Sequence, residues 1–207
     1  MLADLDNLLR LGSMVVRGPS PSFDRPHLLL AFLTIGDRGS IGRHALAKST
    51  GVGEGAIRTI LKKLRDGGYV DSKTSGARLT DKGGRLHTSV RKILSQFTLL
   101  KGSLLTLGRS QVAIDIRGRA SSVKSGIEQR DAAIRIGATG ATTYAFLAGK
   151  FTVPGESTDC EKDYPSDAWP DLRRELSPRN GDAVVLCGAD DETAAKLGAL
   201  SSAMTLL

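Results

Sequence analysis

Between Gly51 and Gly84 the chain reads GVGEGAIRTILKKLRDGGYVDSKTSGARLTDKGG, and no other stretch limits the possible folds so tightly. Ile57, Ile60, Leu61 and Leu64 fall at i, i+3, i+4 and i+7, so they share one face of a helix over 54–66. Glu54, Arg58, Thr59, Lys62, Lys63 and Arg65 lie mostly off that face. Gly67-Gly68 stops the helix, Tyr69-Val70 starts a strand, 71–78 is a polar excursion with Gly76 at its tip, and Leu79-Thr80 returns. Upstream, Asp24 and Pro26 open a helix with an apolar body over 27–35, ended by Gly36 and Gly39. A second short helix covers 43–50, and Gly51 allows the chain to turn sharply. Helix, helix, turn, helix, strand, basic loop, strand is the order of a winged helix-turn-helix.

After Asp81 the pattern predicts one more helix, running to about residue 100. Leu86, Val90, Ile93, Leu94, Phe97 and Leu100 form its apolar stripe, too broad for a small domain to cover alone; it docks on the second domain or pairs in a homodimer, with the homodimer slightly preferred. The remainder begins near Gly102. Strands are predicted over 112–116, 142–147, 150–153 and 183–187; 123–136 is mostly helical, 164–177 has a Pro-rich start and a short helix, and a final helix covers 190–207. Ala183 to Cys187 is a continuous apolar run, the signature of a central strand. The expected class is α+β: an N-terminal arm (1–24), a winged helix-turn-helix domain with its following helix (25–101), and a C-terminal α/β sandwich of ferredoxin-like, split βαβ order (102–207).

Charge is unevenly distributed. Residues 40–101 hold thirteen Lys/Arg against four Asp/Glu, whereas 151–207 hold five against eleven. The cationic block coincides with the helix-turn-helix pattern, which points to a polyanion, double-stranded DNA, as partner. Arg58 and Lys62 sit one turn apart on the exposed face of the 54–66 helix, where Arg suits bidentate contact with guanine. Thr59 and Lys63 are taken with them as contact residues. Gly53 and Gly55 keep the helix start bare for close approach, and its free N–H groups attract phosphate. Glu54 favours the helix dipole first and accepts from cytosine second. Lys73 and Arg78 flank the wing for backbone or minor-groove contact, and Arg43 and Lys48 on the preceding helix lie near phosphates.

The second half gives less. GATGAT (137–142) resembles a phosphate cradle, but it follows a helix and precedes a strand, the reverse of such loops, so a helix C-cap at Gly137 or Gly140 is the better reading. Arg130 and Arg135 are candidates for an anionic ligand, with pairing to Asp115 or Glu128 as the alternative. Asp190, Asp191 and Glu192 read as capping groups, Trp169 as a core aromatic. Cys160 and Cys187 are isolated and the three histidines lack metal spacing, so neither metal nor cofactor is expected. No hydrolase, zinc-protease or P-loop motif is present, so an enzyme is not the expected reading. The absence of a basic leader or long apolar run predicts a cytoplasmic protein without membrane contact.

The run VGEGAIRTILKKLRDGGYVDSKTSGARLTDKG, with GIEQRDAAIRIGATGA, FTVPG and GDAVVLCGADDETAAKLGAL, resembles a group of archaeal two-domain proteins. These join a winged helix to a C-terminal domain of unknown function of the DUF4443 type. The resemblance covers about 25–207, and the helix start over 52–58 is its most specific part. It implies a transcription regulator and brings no ligand or catalytic residue with it. Two function classes remain. One is a DNA-binding regulator whose second domain senses a small molecule or mediates assembly. The alternative is a small-molecule-modifying enzyme with an autoregulatory winged helix.

Overall fold

The computed structural model describes residues 2–13, 22–73, 76–100 and 106–207. The chain forms two compact units, Met1–Val90 and Arg91–Leu207.

In the first unit, α1 (Leu2–Ser13) is followed by α2 (Arg25–Arg38), α3 (Arg43–Thr50), α4 (Glu54–Asp66), a hairpin of β1 (Val70–Lys73) and β2 (Gly76–Leu79), and α5 (Asp81–Arg91). The order predicted for 25–84 is therefore present. Pro26 sits in the first turn of α2, and His27 Nδ1 accepts from the Asp24 N–H at 3.0 Å. Leu28, Leu29, Leu30, Phe32, Leu33 and Ile35 are all buried, which makes α2 the hub on which α1, α3, α4 and β2 pack. Gly36 lies beneath the His87 ring, leaving no room for a side chain there, and His87 Nε2 meets Asp37 Oδ1 at 2.8 Å.

Two expectations for this unit change. The N-terminal arm is a helix: α1 buries Leu5 and Leu8 and packs on α2 and α4. Gly76 is not the tip of the 71–78 excursion. It pairs with Lys73 across the hairpin, while the ladder runs on to Ile41, which exchanges hydrogen bonds of 3.0 and 2.9 Å with Ala77. Gly76 has φ +117°, and a Cβ there would stand 2.6 Å from the Ile41 carbonyl oxygen, so the close crossing requires glycine. Thr74 and Ser75 lie outside the described residues.

The second unit starts earlier than the sequence suggests. The helix expected to reach residue 100 ends at Arg91. Leu94 bridges to Ile116, and 98–100 form β3 (Thr98–Leu100) against β4 (Ser110–Ile116). The apolar spacing over 86–100 fits a helix, but β4 offers a ladder that overrides it. Ser95 N–H donates to Asp115 O at 3.0 Å, and Arg117 N–H to Ile93 O at 2.8 Å. Ile93, Leu94 and Leu100 are buried, and beyond Val90 the stripe that suggested a homodimer is not a helix face. The boundary falls at 90/91, not 101/102.

Beyond β4 come α6 (Ile127–Arg135), β5 (Gly140–Leu147), β6 (Lys150–Thr152), α7 (Cys160–Asp163), α8 (Ala168–Leu176), β7 (Ala183–Ala189) and α9 (Glu192–Met204). The sheet order is β3-β4-β7-β5-β6, antiparallel throughout. β4 and β5 consequently run parallel with one strand between them, a split βαβ with α6 as its crossover. In a ferredoxin-like sheet the hairpin's return strand, here β6, would fill the gap; β7 fills it instead. Composition explains the exchange. Every residue of β7 (AVVLCGA) is buried, as a strand covered on both faces demands, whereas β6 has three residues and an exposed Lys150, which suits an edge. α6 and α9 pack on one face. On the other, Tyr144, Phe146, Phe151 and Trp169 build an aromatic core with Leu172 and Leu176 of α8. The unit is α+β with helices on both sides of its sheet.

Candidate functional site

Four of the predicted contact residues, Arg43, Arg58, Thr59 and Lys62, line a cleft of about 640 Å³ between α4, the start of α3 and the hairpin. Arg43, Arg58, Lys62 and Arg65 line it, with Leu61 and Ser72 between them. The helix spacing dictates this: 58, 62 and 65 are i, i+4 and i+7, so all three stand on the face opposite Ile57, Ile60 and Leu64, which are fully buried. Arg58, Lys62 and Arg65 are exposed and form no salt bridge among the described residues. Gly42, Gly53 and Gly55 surround the α3–α4 corner, and a Cβ at any of them would meet nothing within 4 Å. None has a positive φ.

Other members of the predicted set stand differently. Lys63 is a correction. It is 8% exposed, and its Nζ donates to the Leu11 carbonyl at 2.7 Å, tying α1 to α4, while burial lowers its pKa. Its position, three after Ile60 and seven after Ala56, places it on the buried side despite its charge. Glu54 meets His44 Nδ1 at 3.2 Å and Arg43 Nη2 at 3.4 Å. Those partners, His44 first, hold its carboxyl below the usual range and join the start of α4 to α3. Arg43 therefore reaches the cleft already partnered. Thr59 turns its hydroxyl back to Gly55 O at 3.2 Å and is half-buried. Arg78 is exposed on β2 opposite Asp71, and Lys48 is exposed on α3 away from the cleft. The backbone of Lys73 closes β1; its side chain lies outside the described residues. Gly42, Leu61, Arg65, Ser72, Gly76 and Ala77 line the cleft without belonging to the predicted set. Arg65 is the charged one among them, and the 58–62–65 spacing was its signal.

In the second unit the two candidate arginines separate. Arg130 lines a recess at the start of α6, with Asp131 Oδ1 3.4 Å from its Nη2, whereas Arg135 is exposed elsewhere on that helix. Neither pairs with Asp115. That carboxylate is wholly buried, with Arg117 Nε 2.8 Å away, and the same guanidinium holds Asp182 at 2.8 Å and reaches the Leu176 and Ser177 carbonyls at the end of α8. Burial first, then the Asp182 charge, push Asp115 up to about 7. With Asp182 also accepting from the Gly118 and Arg179 N–H groups, this cluster acts as internal bracing between β4, β7 and α8. Gly137, at φ +98°, caps α6: its N–H reaches Ile134 O, and Ala138 N–H reaches Ala133 O, the Schellman pattern. No group of three or more metal-ligating side chains occurs among the described residues, and no helix there is long and apolar enough to cross a membrane.

A search of curated proteins found no match. Among solved structures the chain is similar to Hypothetical protein PH0730 from Pyrococcus horikoshii OT3, at 24% identity over 89% of this chain and 93% of that one. The TM-score is 0.73, a likeness of fold. Residues 107–206, within the second unit, match the family described as Domain of unknown function (DUF4443).

Proposed function

We propose that the protein is a transcription regulator that binds double-stranded DNA. In this reading the first unit is a winged helix-turn-helix, α4 is its recognition helix, and the 71–78 hairpin is its wing. The observation that carries the reading is the pairing of unneutralised cations with bare glycines. Arg58, Lys62 and Arg65 form one charged edge, and Gly42, Gly53 and Gly55 leave the adjoining corner smooth. Gly42 and Gly53 are the N-caps of α3 and α4, where glycine is tolerated. Gly55, however, lies inside α4, has no steric need to be glycine, and costs its helix about 1 kcal/mol relative to alanine. A partner's backbone approaching the corner accounts for both. Thirteen residues give α4 a length of about 20 Å, and its girth suits a major groove about 12 Å wide. In that pose Arg58 reads base edges, Lys62 and Arg65 hold phosphates, and Arg78 follows the backbone. The second unit supplies the effector or assembly function.

Selection from random duplex DNA, followed by salt-titrated binding, tests this. The expected outcome is an enriched motif whose affinity falls steeply with salt. A selection that returns no motif, together with no affinity for duplex DNA at moderate salt, removes the reading.

A further inference from the structure

The recess beside Arg130 has the makings of a binding site. α6 opens at Ile127, after Gly126, with no side chain capping it. Its internal bonding starts with Arg130 N–H to Gly126 O at 3.0 Å, so the N–H groups of Ile127, Glu128 and Gln129 have no partner within the helix. This helix start borders a recess of about 230 Å³, lined by Gly126, Ile127, Arg130, Thr142, Thr143 and Val153 among others. Thr143 is 1% exposed, and its hydroxyl has no hydrogen-bond partner. A buried hydroxyl left unpaired costs about 1–3 kcal/mol, and valine would fill the same place on β5 without that cost. Gly126 sits directly over it: a Cβ there would lie 3.7 Å from Thr143 Cβ. Arg130, one turn into the helix, is half-exposed, and its 3.4 Å approach to Asp131 leaves its guanidinium largely available.

Three kinds of donor thus meet in one small space: helix-terminal N–H groups with the positive end of the dipole, a guanidinium, and a buried hydroxyl. Glu128 in the same turn is exposed to solvent. The volume admits one compact charged group and little more. We infer that this recess binds a small oxyanion, a carboxylate or a phosphate, and that this is the effector site of the second unit. The inference takes up the effector half of the proposed function. It is tested without DNA, so its failure and that of the DNA-binding reading are separate results.

The experiment is calorimetric titration and thermal melting of the full chain at fixed ionic strength. One arm uses inorganic phosphate, a second acetate and succinate, and chloride is the control. Thr143→Val and Arg130→Gln are measured alongside. The expected result is saturable binding of phosphate or of the carboxylates, whichever class the site prefers, weakened about tenfold or more in each variant. Thr143→Val without ligand should melt no lower than the unaltered chain, since it removes a hydroxyl that bonds to nothing. The inference is overturned by the absence of saturable binding to either class, or by an affinity in either variant equal to that of the unaltered chain. A drop of several degrees on Thr143→Val alone also overturns it, because the hydroxyl would then have a partner within the fold.

Discussion

At the scale of single residues, charge alone does not say which way a side chain faces. Lys62 and Lys63 are neighbours in sequence; one lines an open cleft, and the other donates to a main-chain carbonyl under α1. On the proposed function, Arg58→Ala costs about 1–3 kcal/mol on a selected site and much less on random duplex, because it removes a base contact. Arg65→Ala lowers affinity for both about equally and reduces the salt slope, as loss of a phosphate contact does. Competition binding against both duplexes checks the contrast. Gly55→Ala separates fold from function. Alanine has room at 55 and raises helix propensity, so the melting temperature rises by the equivalent of up to about 1 kcal/mol, while affinity for DNA falls. Asp115 gives a pH signature. Its proton is held more tightly in the folded chain, near 7, than in the unfolded chain, near 3.8. Its contribution is therefore complete below about pH 4 and lost as pH rises through 7. Replacing it by asparagine should flatten that part of the stability–pH curve, read by thermal melts between pH 5 and 8.

At the scale of elements, legibility followed periodicity. α4 was readable because Ile57, Ile60 and Leu64 repeat at helical spacing between glycine stops, and β7 because Ala183 to Cys187 is a continuous apolar run, the mark of a strand covered on both faces. The segment after α5 was misleading for the same reason. Residues 92–100 continue a helical apolar spacing, yet the hydrogen-bonding partners that decide their conformation lie at 111–117, beyond the reach of any local pattern. The burial of Lys63 likewise depends on α1, a segment that carries no strong motif of its own. The recess at α6 was half legible: Arg130 stood out as a charge near a helix start, but Thr143, brought beneath it by sheet pairing, gave no sign. Lys63→Met tests the corrected assignment. It removes the tie to Leu11 and lowers stability by about 1–3 kcal/mol, leaving DNA affinity unchanged, as paired melting and binding measurements will show.

At the scale of the whole molecule, the division at 90/91 makes a direct prediction. A fragment of residues 91–207 keeps β3, the Leu94–Ile116 bridge and the burial of Ile93, so it folds with a cooperative melt. A fragment beginning at 102 loses all three and bares the edge of β4, so it aggregates or melts without cooperativity. Expression of both, followed by circular dichroism and light scattering, decides it. The placement of β7 has a temporal consequence as well. The strand joining the two halves of the second sheet spans 183–189, whereas the strands it separates are complete by 116 and 147. Until that last segment leaves the ribosome, β4 and β5 have no shared neighbour, and their apolar faces wait uncovered. The second unit is therefore obliged to close in one late step, after translation has passed its centre, while the helices ahead of it are under no such delay.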